Sequence, residues 1–187
     1  MKNITYSIII PNKNSASLLS RCINSIPIRE DIQIIVVDDN SDPSQINFTC
    51  YPGYDRENVE ILFTKEGLGA GYARNCGLDK AIGTWILFAD SDDFYNCGAF
   101  DELDIYSSSN ADIVFFDVNS VDTNTYEKSH RDKLYGTYIK KFLSGEDPNA
   151  ELIRFKKWEP WFKMYKRSFI IEAGIKFDII AGCSMGS

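Results

Sequence analysis

The sequence predicts an α/β fold: a mostly parallel sheet with helices on both faces. Three observations carry this. Short apolar runs alternate with stretches whose apolar residues recur at helical spacing, in the order strand, helix, strand, strand, helix, strand, helix, strand. Two of the strand-like runs end abruptly in acids, Asp38-Asp39-Asn40-Ser41-Asp42 and Asp90-Ser91-Asp92-Asp93. The chain has 187 residues, 44% hydrophobic and 25% charged, which fits one domain with a sizeable core.

Taken in order, Tyr6-Ser7-Ile8-Ile9-Ile10 is a compact strand that Pro11 is expected to stop. Asn12-Lys13-Asn14-Ser15 is turn chemistry, and Ser15 or Ser17 is placed to cap the next helix. That helix follows from the spacing of Leu18, Leu19, Cys22, Ile23 and Ile26, and Pro27 ends it. Ile32 to Val37 is a buried strand running into the first acidic cluster, and Val59 to Phe63 is a strand nearer an edge. The glycine-rich Gly67-Leu68-Gly69-Ala70-Gly71 precedes a helix marked by Ala73, Cys76, Gly77, Lys80 and Ala81. Thr84 to Ala89 is the strand that meets the second acidic cluster. A weaker helix over Ala99 to Ser107 and a strand over Asp112 to Phe116 complete this part. Residues 118–150 are polar and poorly periodic, which reads as a loop or excursion. Trp158 to Phe169 is aromatic and basic, and Ser168 to Ala173 reads as a short helix.

Composition excludes several function classes. Residues 1–120 carry 8 lysines and arginines against 18 acids, a net of −10, which disfavours nucleic acid as a partner. Residues 121–187 carry 12 against 9, a net of +3. Arg154, Lys156, Lys157, Lys163, Lys166 and Arg167 there read as a solvated basic face or as a contact with phosphate or anionic lipid. Five scattered cysteines without a C-x-x-C pair argue against a disulfide framework or a zinc site. His130 is the single histidine, so histidine triads and clusters have little to work with. No apolar run is long enough to span a bilayer, and Met1-Lys2-Asn3 leads into a strand rather than a leader peptide. The expected location is the cytoplasm, with peripheral association at the inner membrane face as the lipid-contact version of the same reading.

The acidic strand tips carry the chemistry. Parallel strands joined by right-handed crossovers put their carboxyl ends on one edge, so Asp38-Asp39 and Asp90, Asp92 and Asp93 can face one cleft. Three acids within four residues repel when ionised, and a hard divalent cation relieves that, Mg²⁺ or Mn²⁺ being the ions that favour such oxygens. A solvated acidic turn is the alternative, since this sequence also makes Asx turns. A metal with few protein ligands commonly binds substrate phosphates as well. Arg74, just after the glycine-rich loop, offers a planar cation to phosphate or to Asp90, and Asn75 adds an amide. Asp39 is able to accept from the N–H of a nucleotide base or to cap a helix.

Four ordered stretches resemble a known family: Ser7-Ile8-Ile9-Ile10-Pro11-Asn12-Lys13-Asn14, Ile34-Ile35-Val36-Val37-Asp38-Asp39-Asn40-Ser41, Gly71-Tyr72-Ala73-Arg74-Asn75-Cys76-Gly77, and Phe88-Ala89-Asp90-Ser91-Asp92-Asp93. Over residues 4–120 the chain resembles the family 2 glycosyltransferases, GT-A-fold enzymes that use nucleotide-diphospho-sugars with inversion. It resembles the bacterial members that build capsular or other surface polysaccharides. The resemblance implies a single GT-A-like domain over 1–187, with 1–120 as the nucleotide-sugar-binding half and 121–187 as a partial acceptor-side half. It implies that Pro11 and Asn14 line the nucleotide pocket, with Lys13 where an apolar or aromatic residue is common. Asp39 would bond the base, usually uracil, Arg74 and Asn75 would support the acids and phosphates, and Asp90 would approach the ribose. Asp92 and Asp93 would hold the metal, while Trp158, Trp161, Lys163 and Tyr165 resemble the acceptor-side segment. The acceptor would be a glycan or a lipid-linked sugar.

One departure stands out. In this family a segment like Gly174-Ile175-Lys176-Phe177-Asp178 is soon followed by an acidic pair that supplies the general base. Here residues 179–187 contain no carboxylate. The open readings are a truncated gene product, a base supplied from elsewhere, or a donor-binding module that transfers weakly or not at all. A nucleotidyltransferase is the remaining alternative, but Pro11-Asn12-Lys13-Asn14 stands where its phosphate loop would follow the first strand. Gly67 to Gly71 lacks the G-x-G-x-x-G spacing of a dinucleotide site, and Phe94 breaks the pattern of haloacid-type phosphatases.

Overall fold

The computed structural model describes residues 3–123, 125–156 and 159–179. Its elements run β1 (Tyr6–Asn12), α1 (Ala16–Ser25), β2 (Ile32–Asp39), β3 (Val59–Thr64), α2 (Ala70–Lys80), β4 (Trp85–Phe88), α3 (Ala99–Ile105), β5 (Ile113–Phe115), α4 (Lys133–Leu143), α5 (Glu151–Lys156), β6 (Lys163–Lys166) and α6 (Arg167–Glu172). They form a six-stranded sheet in the order β3-β2-β1-β4-β6-β5. β1 pairs in parallel with β2 and β4, and β2 with β3; β6 runs antiparallel to β4. The chain moves outward from β1 through β2 to β3, then crosses to the other side of β1 for β4. Right-handed crossovers therefore put α1 and α2 on opposite faces, and the order reverses between β1 and β4.

Side-chain alternation agrees. Ile9, Ile35, Val37, Ile86 and Phe88 pack with Ala73 and Ala81 of the α2 segment and Ile170 of α6 in one buried cluster. On the opposite face the Tyr6 ring meets the edge of Phe100 in α3, with centroids 5.9 Å apart. The Trp85 indole N–H reaches the Ser107 carbonyl at 2.7 Å, satisfying a buried donor at the end of α3.

The first strand does not stop at Pro11. It continues to Asn12, with Pro11 opposite Val37 in the β2 register. The Ile9 carbonyl accepts from Ala89, so Ile9 and Pro11 turn their backbone polar groups to the β4 side. β4 ends its pairing at Phe88, opposite Ile9. Pro11 thus lacks its N–H where no ladder partner exists, which is where a strand tolerates proline. Ser15 is the N-cap of α1 by position, yet its hydroxyl donates to the Lys13 carbonyl instead of capping the helix.

An ion-paired knot closes the opposite edge of the sheet. Arg29 holds Asp31 at 2.8 Å and Asp104 at 2.7 Å, and the Tyr6 hydroxyl donates to Asp104 at 2.9 Å. Hydrogen bonds from Arg29 keep both carboxyls below their ordinary range. Depressed acids contribute stability above their unfolded value of 3.8 and lose it as pH falls through the folded one. Arg29→Met is expected to cost about 1 kcal/mol at pH 7, discounted for solvent screening. Urea melts of both proteins should differ at pH 7 and converge as pH falls through the depressed values of the two carboxyls.

The chain divides into two compact units, residues 1–114 with 164–187, and residues 115–163. The second contains α4, where the polar composition of 118–150 predicted a loop. Leu134, Tyr135, Tyr138, Ile139 and Phe142 recur at helical spacing, a signal diluted by Gly136, Thr137 and three lysines on the other side. Within this unit Tyr135 stacks on Phe162, and Trp161 stands edge-on to both. β6 was likewise not predicted as a strand; at four residues it is too short to show alternation.

Candidate active site at the carboxyl edge of the sheet

β1, β2, β3 and β4 are parallel, so all four deliver their carboxyl ends to one edge. The two acidic tips flank β1 there, as the crossover argument requires. At the β4 tip, Asp90, Asp92 and Asp93 each present a carboxylate oxygen within 4.8 Å of the others. Partial loss of hydration, then Asp90, then Asp92, push the Asp93 carboxyl up to about 7. Asp92 is raised by the same loss of hydration and by Asp90. The donor set is all hard oxygen, close-spaced and electrostatically strained, and it fits Mg²⁺ or Mn²⁺. Arg21 of α1 braces this turn by donating to the Asp92 backbone carbonyl, with its guanidinium 5.1 Å from the Phe94 ring centre. No local signal marked Arg21, since its partner lies 71 residues away.

The β2 tip is built differently. Asp38 is buried and accepts from Ser41 N–H at 2.8 Å, Ser41 hydroxyl at 2.7 Å, Tyr51 hydroxyl at 2.6 Å and Asn12 amide at 3.3 Å. Burial and the Asp38 charge drive the Tyr51 phenol well above its ordinary value, so it stays a donor. Asp38 is therefore a fixed hub for the strand tips, and Tyr51 and Asn12 are the partners the spacing did not reveal. Asp39 is also fully enclosed. Its carboxylate accepts from the Gly69 N–H at 2.9 Å, at the N-terminus of α2, and lies 3.5 Å from the Lys13 ammonium. Of the two uses open to Asp39, the helix-terminal one is present in this structure. Pro11 is buried beside it at the end of β1. Asn14 sits in the left-handed region at φ 57°, its N–H donating to Ser41 at 2.8 Å and its side-chain oxygen accepting from Asp42 N–H at 2.7 Å. Asparagine tolerates that conformation better than most residues. It ties the β1–α1 loop to the β2 tip.

Arg74 faces Asp90 rather than open solvent, with 2.5 Å between Nη2 and the carboxylate. Asn75 is largely buried and holds the backbone of Phe177 at both ends: its amide donates to the Phe177 carbonyl and accepts from the Phe177 N–H, each at 2.9 Å. Trp161 belongs to the aromatic group of the second unit described above, and Trp158 lies outside the described residues. The basic face is partly dismantled. Lys163 is buried over the Phe162 ring, Lys166 donates to the Ser109 carbonyl, and Arg167 donates to the Ala81 carbonyl. Among the described residues no helix is long and apolar enough to cross a membrane.

Comparison with known proteins agrees with this architecture. The chain is 27% identical over 189 residues to the uncharacterized glycosyltransferase YibD of Escherichia coli K12, covering 94% of this chain and 52% of YibD. It is 31% identical over 179 residues to the uncharacterized glycosyltransferase EpsJ of Bacillus subtilis 168, covering 92% and 51%. The chain thus spans about half the length of these curated relatives. Its fold matches residues 1–349 of S. aureus TarS solved in complex with UDP, with a TM-score of 0.70 at 21% identity, over 96% of this chain and 52% of that one. The family model described as "Glycosyl transferase family 2" matches residues 7–185, nearly the whole sequence, and the chain belongs to that family.

Proposed function

We propose that this chain is the donor-binding part of a glycosyltransferase, taking a sugar from a nucleoside-diphospho-sugar, uridine-linked, to a glycan or lipid-linked acceptor in polysaccharide synthesis. The observation that carries this reading is the close-set Asp90, Asp92 and Asp93 at the β4 tip, on the same edge as Asp38 and Asp39. S. aureus TarS, which shares the fold, has been solved with UDP and with UDP-GlcNAc, which supports a uridine donor. Asp92 and Asp93 would hold a divalent ion that balances charge on the leaving diphosphate. Asp90 would face the ribose while remaining tied to Arg74. Asp39 would accept from the base edge once the Lys13 ammonium, 3.5 Å from its carboxylate, swings aside. Pro11 and Asn14 would shape the floor between them. In the transfer, the acceptor oxygen bonds to the anomeric carbon as the bond to the diphosphate oxygen breaks, giving inversion. The acceptor proton passes to a base not assigned to any residue of this chain.

Calorimetric titration with UDP, with and without Mn²⁺, tests the donor site. Binding should depend on Mn²⁺ and weaken about tenfold per pH unit below 7, because the ion must then displace the Asp93 proton, and level off above it. Metal-independent binding would remove the cluster from the site, whereas a flat profile between pH 5.5 and 7 would mean that Asp93 is already ionised there.

A further inference from the structure

We propose that Phe177 is a positioning residue for the acidic cluster, fixed by the Asn75 amide and acting through Arg74 on Asp90. The inference rests on reading that cluster as a cation site. It begins with an unusual clamp. Asn75 sits within α2, and Phe177 lies 102 residues later on an irregular segment after α6. Two 2.9 Å bonds from one amide to both backbone groups of one residue imitate a strand pairing. They satisfy an otherwise lone stretch of backbone and fix its register. Gly71 makes the approach possible: a Cβ there would fall on the Asp178 carbonyl oxygen.

Held this way, the Phe177 ring is wedged between the β4 strand and α2. It meets Phe88 edge-on, with centroids 5.0 Å apart. Phe88 in turn meets Tyr165 of β6 at 5.9 Å. The Arg74 guanidinium lies 5.5 Å from the Phe177 ring centre. Its Nε is buried without a hydrogen-bond partner, so no bond from that atom sets its orientation. What remains is the aromatic face on one side and the 2.5 Å bond to Asp90 on the other. A guanidinium stacked on an aromatic ring has a preferred plane, which an ammonium lacks. Phe177 thereby aims Arg74 at Asp90, whose carboxylate oxygen lies within 4.8 Å of those of Asp92 and Asp93, the pair that would hold the ion. Residues 174–179 and the cluster are linked through a continuous set of contacts.

The test is Mn²⁺ binding, read by electron paramagnetic resonance of the free ion, with thermal melts run alongside. Phe177→Leu keeps the apolar wedge and removes the ring face. It should weaken Mn²⁺ binding about tenfold, as loss of outer-layer partners at metal sites does, with Tm within a few degrees of wild type. Phe177→Tyr restores the face and should bind as wild type. Asn75→Ser removes the clamp and should show the same loss, with faster hydrogen exchange at the Phe177 amide. Undiminished Mn²⁺ binding by Phe177→Leu overturns the proposal. If that variant does not fold, undiminished binding by Asn75→Ser does so instead. Wild type that fails to bind Mn²⁺ withdraws the site assignment itself, and this inference with it.

Discussion

Asp93→Asn should abolish Mn²⁺-dependent UDP binding and, in the metal-free protein, raise thermal stability at pH 8. The two effects have one cause. The Asp93 carboxyl is pushed up to about 7 by lost hydration and by Asp90 and Asp92, from an ordinary value of 3.8. An acid whose folded value is raised binds its proton more tightly folded than unfolded. It is neutral in both states below about pH 4, and the folded state becomes progressively disfavoured between 4 and 7. Above 7 the whole penalty is present. Asparagine resembles the protonated form and escapes it. Because the carboxylate reaches solvent, the gain is discounted to about 1 kcal/mol at pH 8, vanishing near pH 4. Loss of a direct ligand should weaken Mn²⁺ by at least about 100-fold, the upper end for outer-layer partners. Melts at pH 4 and pH 8, with and without Mn²⁺, read both signs. Asp92→Asn should lose the metal in the same way with a smaller stability gain. An acidic turn with no ligand role would give unchanged nucleotide binding.

The legible part of this site is the part that topology rules govern. Apolar runs ending in acids at 38–39 and 90–93 are visible in the sequence, and handed crossovers bring those ends to one edge without knowledge of any contact. What stayed hidden depends on side chains that meet across long separations. Tyr51 hydrogen-bonds Asp38 from an irregular loop, Arg29 reaches Asp104, 75 positions away, and Asn75 finds a backbone 102 positions away. None leaves a periodic or spacing signal. Pro11 misled because a proline is read as a stop, whereas its effect depends on which side of the strand lacks a partner. The α4 stripe is present in the sequence, but the polar average of 118–150 masks it, and it shows only by angle around the helix.

Gly83→Ala should be strongly destabilising. Gly83 precedes β4 and lies against the start of β1. A Cβ there would stand 2.6 Å from the Ser7 nitrogen and 2.7 Å from the Tyr6 carbonyl carbon. Both are backbone atoms of the central strand, which is paired on either side and cannot withdraw. The Gly83 N–H also donates to the Ser7 hydroxyl at 2.8 Å, and that hydroxyl donates on to Gln33 at 2.6 Å. Moving β4 away would strand a buried network as well as open the core. Overpacking ordinarily costs about 1–3 kcal/mol, and a backbone obstacle puts this variant at or above the top of that range. Gly77→Ala is the instructive comparison. It lies inside α2, where alanine would gain about 1 kcal/mol in helix propensity. Its Cβ would press on Ile9, overlapping Cγ2 and standing 3.2 Å from Cγ1. Ile9 is fully buried and β-branched, so it has few ways to yield. The clash should outweigh the propensity gain and leave a net loss, smaller than at Gly83. Denaturant melts of the two variants decide this: a Gly77→Ala protein as stable as wild type would mean that α2 can lift from β1, and with it Arg74 from Asp90.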